Sequence, residues 1–191
     1  YAGIYGENLG APAQQALFLQ TPVVYVWDDH DYGGNDSDAH SRSRDAVREA
    51  YSAYVPHYPL VTDADGPIYQ AFTVGRVRFL VTDTRSERDP GSTPPTMLGA
   101  SQKQWLKDQM LAARDTHALT VWVSAVPWIA EAAAGADNWS GYAEERQEIA
   151  DFIAANGITS LAMLSGDAHM LAIDDGTHSN FASEGGMGFP V

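Results

Sequence analysis

Two short segments of this sequence concentrate side chains that bind metal ions or transfer protons. In residues 28–38, five carboxylates and one imidazole stand within eleven positions. The second segment is Ser165-Gly166-Asp167-Ala168-His169. Carboxylate oxygens and neutral imidazole nitrogens are common protein ligands of zinc, iron, manganese, calcium and magnesium. Five carboxylates this close repel one another unless cations lie among them, so both segments are candidate metal sites.

Each segment also has a purely structural interpretation. An acidic loop with glycines is often a solvated loop built on Asx turns, although the embedded His30 and the apolar run before Asp28 favour a metal site. An isolated Asp-x-His pair is often a histidine hydrogen-bonded to an aspartate. If the second segment is extended, residues i and i+2 point the same way, so Asp167 and His169 can both reach one ion. Two such clusters in one chain are a stronger indication than either alone.

A short β-rich run precedes each cluster and predicts the element that positions it. Residues 23–27 are fully apolar, which is typical of a strand covered on both faces, and residues 161–164 form a similar run. In open α/β sheets, ligands bind at the carboxyl ends of the strands. The other predicted elements are a helix over 43–54, a hairpin of 69–74 and 76–82 around Gly75, a helix beginning at Ser101, a strand over 120–125 and a helix over 143–155. Strands that alternate with helices predict a single α/β domain over residues 1–191.

The composition excludes several classes of partner. The chain has 191 residues, with 25 acidic and 11 basic side chains and a net charge of −14. Such a surface is a poor match for nucleic acid or for an anionic membrane, because both are bound mainly through cationic side chains. The absence of cysteine excludes disulfides and thiolate ligands. No segment is predicted to be a secretory leader or a membrane-spanning helix.

The segments that carry chemistry resemble, in type and order, those of the PhoD-like metallophosphatases, the alkaline phosphatase D family of the calcineurin-like phosphoesterase superfamily. The matching segments are Trp27-Asp28-Asp29-His30-Asp31 with Asn35-Asp36, Thr82-Asp83-Thr84-Arg85-Ser86, Met97-Leu98-Gly99 with Gln102 and Trp105-Leu106, Trp139-Ser140-Gly141-Tyr142 with Arg146, and Ser165-Gly166-Asp167-Ala168-His169. The resemblance covers nearly the whole chain. It implies an α/β sandwich of two mixed sheets flanked by helices, with a metal centre at the strand ends.

The resemblance also implies roles for individual residues. The superfamily motif G-N-H-[DE] supplies a metal ligand, a catalytic histidine and an acidic residue that orients it, and these roles correspond here to Asp29, His30 and Asp31. Asp29 replaces the asparagine of the motif and adds a negative charge. The closing G-H-x-H motif corresponds to Gly166-Asp167-Ala168-His169, in which Asp167 and His169 would each ligate one metal.

Three further residues are candidates for contact with the substrate. Arg85 is a candidate phosphate clamp, because a guanidinium can pair with phosphate in a bidentate way. The alternative for Arg85 is a salt bridge to Asp83 or Glu87. Asn35 could contact the substrate or a second ion, and Trp139 could line the cleft from a loop.

The activity implied by the resemblance is hydrolysis of phosphate esters, with two or more divalent or trivalent metal ions as cofactors. Iron, zinc or manganese is expected, and calcium is a further candidate. Such ions offset the acidic charge, polarise the phosphoryl oxygens and lower the pKa of a bound water to about 7, which yields a hydroxide nucleophile. The substrate would be a small phosphate ester or a phospholipid. The family implies a secreted or periplasmic location.

Two alternatives remain, and one departure from the family pattern bears on them. The alternatives are a phospholipase-D-type hydrolase of the same fold and a non-catalytic, metal-stabilised module. The family has an aspartate and a G-D-x-x-Y segment before the strand predicted at 23–27, but residues 1–20 contain no aspartate and Glu7 is their only acid. The chain is therefore expected to be part of a catalytic domain that lacks its N-terminal metal-ligand motifs and its C-terminal end, and to be inactive in isolation.

Overall fold

The computed structural model describes residues 1–63 and 65–191. Its sheet contains four strands in the order β1 (Gln70–Val74), β2 (Val77–Val81), β3 (Leu119–Ser124) and β4 (Leu161–Ser165). Strands β1 and β2 form an antiparallel hairpin, whose turn includes Gly75 at a φ of 60° that glycine adopts without strain. Strands β2, β3 and β4 are parallel, so their carboxyl ends lie at one edge of the sheet.

Helices make the crossovers that parallel strands require. Among the described residues, the α-helices are α1 (Ala2–Gly10), α2 (Pro12–Phe18), α3 (Asp29–Tyr32), α4 (Arg44–Tyr54), α5 (Gly99–Arg114) and α6 (Ala143–Ala155), and a 3₁₀ helix spans Trp139–Tyr142. Helix α5 connects β2 to β3, and α6 lies between β3 and β4. None of the described helices is long and apolar enough to cross a membrane.

The main core lies between one face of the sheet and helices α5 and α6. Leu80, Trp122 and Met163 point into it from β2, β3 and β4, and all three are at most 1% exposed. Trp128 and Trp139 complete an aromatic cluster with Trp122, at ring-centre distances of 5.2–5.5 Å. A smaller core around Trp27 and Tyr51 anchors helices α3 and α4. The two cores fix the sheet edge at which the candidate site lies.

The opposite face of the sheet borders a wide apolar groove. Phe79, Val123 and Leu164 line it from β2, β3 and β4, and α1, α2 and residues 22–26 form its other wall. Leu164 is 60% exposed although its side chain is apolar. This face of the sheet is therefore not packed against a second layer within the described residues.

Most of the predicted elements are confirmed. The helices over 43–54 and 143–155, the hairpin around Gly75 and the strands near 120–125 and 161–164 all form, within one or two residues of their predicted bounds. The mixed α/β class is also confirmed. The described residues form one mixed sheet, and the second sheet that the family resemblance implies is not among them.

Three local expectations require correction. Residues 23–27 are not a strand, because no strand among the described residues lies beside them to pair with. Helix α5 begins at Gly99 and not at Ser101, because Thr96 Oγ1 accepts a hydrogen bond from the Gly99 N–H at 2.9 Å and caps the earlier turn. Helices α1 and α2 were not predicted: neither contains a buried residue, and their apolar side chains, such as Ile4 and Phe18, line the open groove and not a core.

Candidate active site

Both predicted clusters lie at the edge where the parallel strands end. Asp167 and His169 follow β4 directly, and residues 82–86 follow β2. Two contacts join the segment 28–38 to this edge: Trp27 Nε1 donates to Asp83 Oδ1 at 2.9 Å, and Arg85 Nε donates to Asp28 Oδ1 at 2.7 Å. The sheet edge thus brings together residues that are far apart in sequence.

Asp28 and Asp31 begin helix α3 by capping each other's backbone. The Asp28 N–H donates to Asp31 Oδ2 at 3.1 Å, and the Asp28 carboxylate accepts from the Asp31 N–H. This reciprocal pair leaves the His30 side chain 75% exposed, with its Nε2 4.0 Å from Asp29 Oδ2. The imidazole of His30 thus lies beside the carboxylate of Asp29, while the carboxylate of Asp31 accepts a backbone hydrogen bond. The role of Asp31 in orienting His30 stays a prediction.

The Asp29 carboxylate is buried and held by backbone donors. Its side chain is 8% exposed; Oδ1 accepts from the His30 N–H at 2.6 Å and Oδ2 from the Asp36 N–H at 2.9 Å. Burial opposes ionisation, but the N–H groups of Asp36 and His30 outweigh it and hold the pKa of Asp29 below its usual value. Asp29 is thus an ionised oxygen donor of fixed orientation.

Asp29 belongs to a group of three carboxylates that could hold a metal ion. One oxygen atom from each of Asp29, Asp36 and Asp137 lies within 4.8 Å of the others. Asp137 Oδ1 also forms salt bridges with two arginines, at 2.6 Å from Arg85 Nη1 and 2.8 Å from Arg88 Nη2. The two arginines thus already neutralise part of this cluster's charge.

Arg85 lies at the centre of a buried ion-pair network. Its side chain is 0% exposed and bridges Asp28 and Asp137. Arg85 therefore forms salt bridges, as the alternative predicted, but with other partners. The contact of Arg85 with Asp83 is a hydrogen bond from its backbone N–H at 3.0 Å, and Glu87 pairs with Arg44. The clamp role of Arg85 stays a prediction, which its full burial does not favour.

The charge state of Asp28 links the two clusters. The pKa of Asp28 is raised to about 6, mainly by burial, with smaller contributions from the negative charges of Asp167 and Asp29, and Arg85 opposes the rise. Asp167 follows Asp28 by 139 positions in the sequence, yet it lies close enough for its charge to act on Asp28.

Asp167 and His169 form a pair of adjacent donors. Asp167 Oδ1 and His169 Nε2 are 3.4 Å apart, with side chains that are 31% and 90% exposed. The prediction that both side chains reach one ion assumed an extended segment. The segment is not extended, because Asp167 and His169 adopt left-handed φ angles of 54° and 53°. The spacing nevertheless fits a shared ion, since two donors about 2.0–2.1 Å from a tetrahedral metal lie about 3.3 Å apart.

The two predicted substrate contacts differ in accessibility. Asn35 is exposed on the loop beside Asp36. Trp139 is 0% exposed: its Nε1 donates to Ser124 Oγ at 3.1 Å and its ring packs on Trp122. The structure places Trp139 in the core and not on a cleft surface, because the 3₁₀ helix that carries it turns the ring inward.

Sequence reasoning assigned no ligand or substrate role to three residues that the structure places in the network around Asp28 and Asp36. Asp83 is fully buried and accepts from Trp27, while Arg88 and Asp137 pair with each other beneath Asp36. The sequence carried an indication for Asp83, because Asp83 directly follows a predicted strand. The same position was predicted for Asp28. Arg88 and Asp137 lie in loops of ordinary composition, and only the fold brings them together.

The structure thus defines a mixed α/β protein with carboxylates and imidazoles gathered at the ends of its parallel strands. The comparisons with known proteins narrow that class. The family model described as PhoD-like phosphatase matches residues 1–189, and the chain belongs to this family.

Two relatives support the assignment. The alkaline phosphatase D of Bacillus subtilis (strain 168) is 29% identical over an alignment 198 residues long. The alignment covers 86% of this chain and 33% of the relative. A solved structure titled "Structure of PhoD" matches with a TM-score of 0.64 and 24% identity, over 78% of this chain and 35% of that one; at this identity the match shows the shared fold. The chain therefore spans about a third of the length of the relatives that it matches.

Proposed function

We propose that this chain forms part of the active site of a metal-dependent hydrolase of phosphate esters. The observation that carries the proposal is the meeting of two donor clusters at one sheet edge, with Asp167 Oδ1 and His169 Nε2 3.4 Å apart and the buried Asp29 carboxylate on the loop that is tied to the same edge. The similarity to the Bacillus alkaline phosphatase D supports the reaction class.

Asp29, Asp167 and His169 are the proposed metal ligands. Their oxygen and imidazole donors suit iron, zinc or manganese, and the carboxylate-rich loop suits calcium. Two or more ions are expected. When bound, such ions polarise the phosphoryl oxygens and activate a water for attack on phosphorus. They also offset a net charge of −14 that would repel an anionic substrate.

The exposed His30 is the proposed proton donor to the leaving oxygen. Its ring projects from α3 into solvent, where it is free to reach a substrate, and its Nε2 lies 4.0 Å from Asp29 Oδ2. Asp31 fixes the first turn of α3 and so the position of His30. Asn35, exposed on the same loop, is the proposed contact for substrate or a second ion. For Arg85, its burial supports a positioning role better than a clamp role.

The apolar groove supports a proposal about the rest of the fold. We infer that a second sheet covers the open face of β2–β4, which gives the two-sheet sandwich, since Phe79, Val123 and Leu164 would otherwise leave apolar surface in contact with water. A small phosphate ester or a phospholipid is the proposed substrate. We further propose a secreted or periplasmic location, for which the resemblance to the family is the support.

The test is an assay of the complete protein with p-nitrophenyl phosphate and bis-p-nitrophenyl phosphate, with and without a chelator. Turnover should disappear with chelator and return with added Mn²⁺, Zn²⁺ or Ca²⁺. His30→Ala should lower kcat by about 100-fold or more, whereas the matched control His117→Ala, in the turn before β3, should keep wild-type kcat. Turnover that is insensitive to the chelator, or absent with every divalent ion, would falsify the proposal.

The substrate profile separates the remaining alternatives. Faster hydrolysis of phosphatidylcholine vesicles than of p-nitrophenyl phosphate identifies a phospholipase-D-type enzyme of the same fold. Unchanged activity of the whole protein after His30→Ala identifies this region as a metal-stabilised module without a catalytic role.

A further inference from the structure

Arg88 joins the loop of the first cluster to the segment around Asp137. It is 2% exposed, and its Nη1 donates to the Asp36 carbonyl at 2.6 Å. Its Nη2 lies 2.8 Å from Asp137 Oδ1, and its guanidinium carbon is 5.6 Å from the centre of the Tyr142 ring. Its backbone carbonyl accepts from the Ala39 N–H at 2.9 Å. One buried cation therefore contacts both segments at once.

The contact on the Asp36 carbonyl has a consequence for Asp29. Asp36 adopts a left-handed φ of 57°, a conformation that is uncommon for residues other than glycine but that aspartate adopts more readily than most. Arg88 holds the carbonyl of Asp36, and the N–H of the same residue donates to Asp29 Oδ2 at 2.9 Å. Arg88 and Asp29 therefore contact the two backbone polar groups of the same residue.

We propose that Arg88, fixed by Asp137, is a positioning residue that orients the Asp29 carboxylate through the backbone of Asp36. The proposal rests on the proposed function, in which Asp29 is a metal ligand. Partners that orient a ligand typically contribute 10–100-fold to metal affinity. The proposed effect of Arg88 on Asp29 is indirect, because it passes through the carbonyl and the N–H of Asp36.

The chemistry of the side chain explains why an arginine occupies this position. A guanidinium presents five N–H donors in one rigid plane, so it can bond a carbonyl and a carboxylate at the same time in fixed directions. A lysine ammonium retains the charge and can bond one of these oxygens, but it lacks the second rigid arm. Arg88→Lys is therefore expected to retain part of the effect, and Arg88→Gln to lose it.

The test compares Arg88→Gln, Arg88→Lys and Asp137→Asn with a control, Arg146→Gln, in the complete protein. Arg146 is also buried, at 3% exposure, and donates to the carbonyls of Trp128 and Ala130. The readouts are Mn²⁺ affinity by equilibrium dialysis, amide hydrogen exchange of residues 29–38, and unfolding in urea. Arg88→Gln should weaken Mn²⁺ binding by about 10–100-fold and accelerate exchange of the Asp36 amide. Arg146→Gln should lower stability and leave both readouts unchanged.

Each outcome decides the inference. Unaltered Mn²⁺ affinity and Asp36 exchange in Arg88→Gln would show that Arg88 has only a structural role. If Arg88→Gln does not fold, Arg88→Lys decides by both readouts and Asp137→Asn by Asp36 exchange alone, because Asp137 belongs to the carboxylate group that could itself hold a metal ion. Equal loss of Mn²⁺ affinity in Arg146→Gln would overturn the inference as well. If the wild-type protein binds no metal and hydrolyses no phosphate ester, the proposed function fails. In that case the exchange of the Asp36 amide still decides whether Arg88 controls this loop.

Discussion

The indole of Trp27 donates a hydrogen bond to Asp83 Oδ1 at 2.9 Å, and the two residues are 56 positions apart. Asp83 is fully buried and also accepts from the backbone N–H groups of Ile68, Arg85 and Ser86 at 2.9–3.0 Å. A single carboxylate thus joins the start of the candidate site, the entry to the hairpin and the end of β2.

Asp83→Asn should reduce the free energy of unfolding by about 3 kcal/mol. The amide offers one acceptor oxygen in place of two, and its NH₂ group faces buried donors that it cannot satisfy. Urea denaturation measures the loss. The same change at an exposed position, Glu184→Gln, should stay within about 0.5 kcal/mol. A loss below about 1 kcal/mol at Asp83 would show that the surrounding donors find other partners.

Asp28 and Arg85 should be strongly coupled in a double-mutant cycle. Arg85 has no exposed side-chain surface, and its Nε donates to Asp28 Oδ1 at 2.7 Å. The cycle of Asp28→Asn and Arg85→Gln, followed by urea denaturation, should give a coupling free energy of about 2 kcal/mol. The exposed pair Arg114 and Asp115 is the control and should show no measurable coupling. Equal coupling in the two pairs would contradict the importance assigned to burial.

Tyr51 should make the stability of the protein fall at high pH. Its hydroxyl donates to the Tyr25 carbonyl at 2.9 Å, and burial raises the pKa of Tyr51 to about 12. An unfolded tyrosine ionises near pH 10, so the stability that Tyr51 contributes is full below pH 10 and is lost as the pH rises to about 12.

Tyr51→Phe tests this dependence through urea midpoints between pH 8 and 11.5. The variant should lose about 1 kcal/mol at pH 8, because the hydrogen bond is removed, and should decline less steeply above pH 10. Tyr54→Phe, at an exposed position of the same helix, should keep the wild-type slope. Parallel curves for wild type and Tyr51→Phe would refute the prediction.

Gly141→Ala should destabilise the segment that carries Asp137. A Cβ atom on Gly141 would overlap the carbonyl oxygen of Ala136, so the backbone beside Asp137 has to move. The expected loss is about 2 kcal/mol in the free energy of unfolding. Gly6→Ala is the contrasting control: nothing lies near its added methyl, and in the interior of α1 it should stabilise by about 1 kcal/mol. A neutral Gly141→Ala would mean that the 3₁₀ helix can shift without strain.

Local patterns were sufficient to predict the elements whose structure is decided locally. Helix α4 follows from its apolar stripe, α6 from its acidic first turn and its Asn156-Gly157 stop, and the hairpin from the left-handed turn at Gly75. Residues 23–27 have the composition of a strand, but a strand also needs a neighbour to pair with. Pairing is a property of the fold, so composition alone could not decide it.

The candidate site was predictable to a similar degree. Asp29, Asp167 and His169 were predicted as ligands from the resemblance to the family and from the rule that ligands cluster after strands, and this role stays a prediction. The rule misled at Asp29, because residues 23–27 are not a strand. Asp137 follows an alanine- and glycine-rich stretch that carries no such signal, and its role depends on contacts with Arg85 and Arg88. The burial of Trp139 was equally hidden, because the exposure of a loop aromatic is set by the tertiary packing around it.

Besides the local bonds of Asp28, Asp29 and Asp31, four ties that hold residues 28–38 reach far along the chain: Trp27 to Asp83, Asp28 to Arg85, Asp36 to Arg88, and Arg85 in turn to Asp137. None of them can form within a short peptide. The placement of Asp29 at the sheet edge therefore depends on contacts of high sequence separation, which the chain can form only together with its native topology.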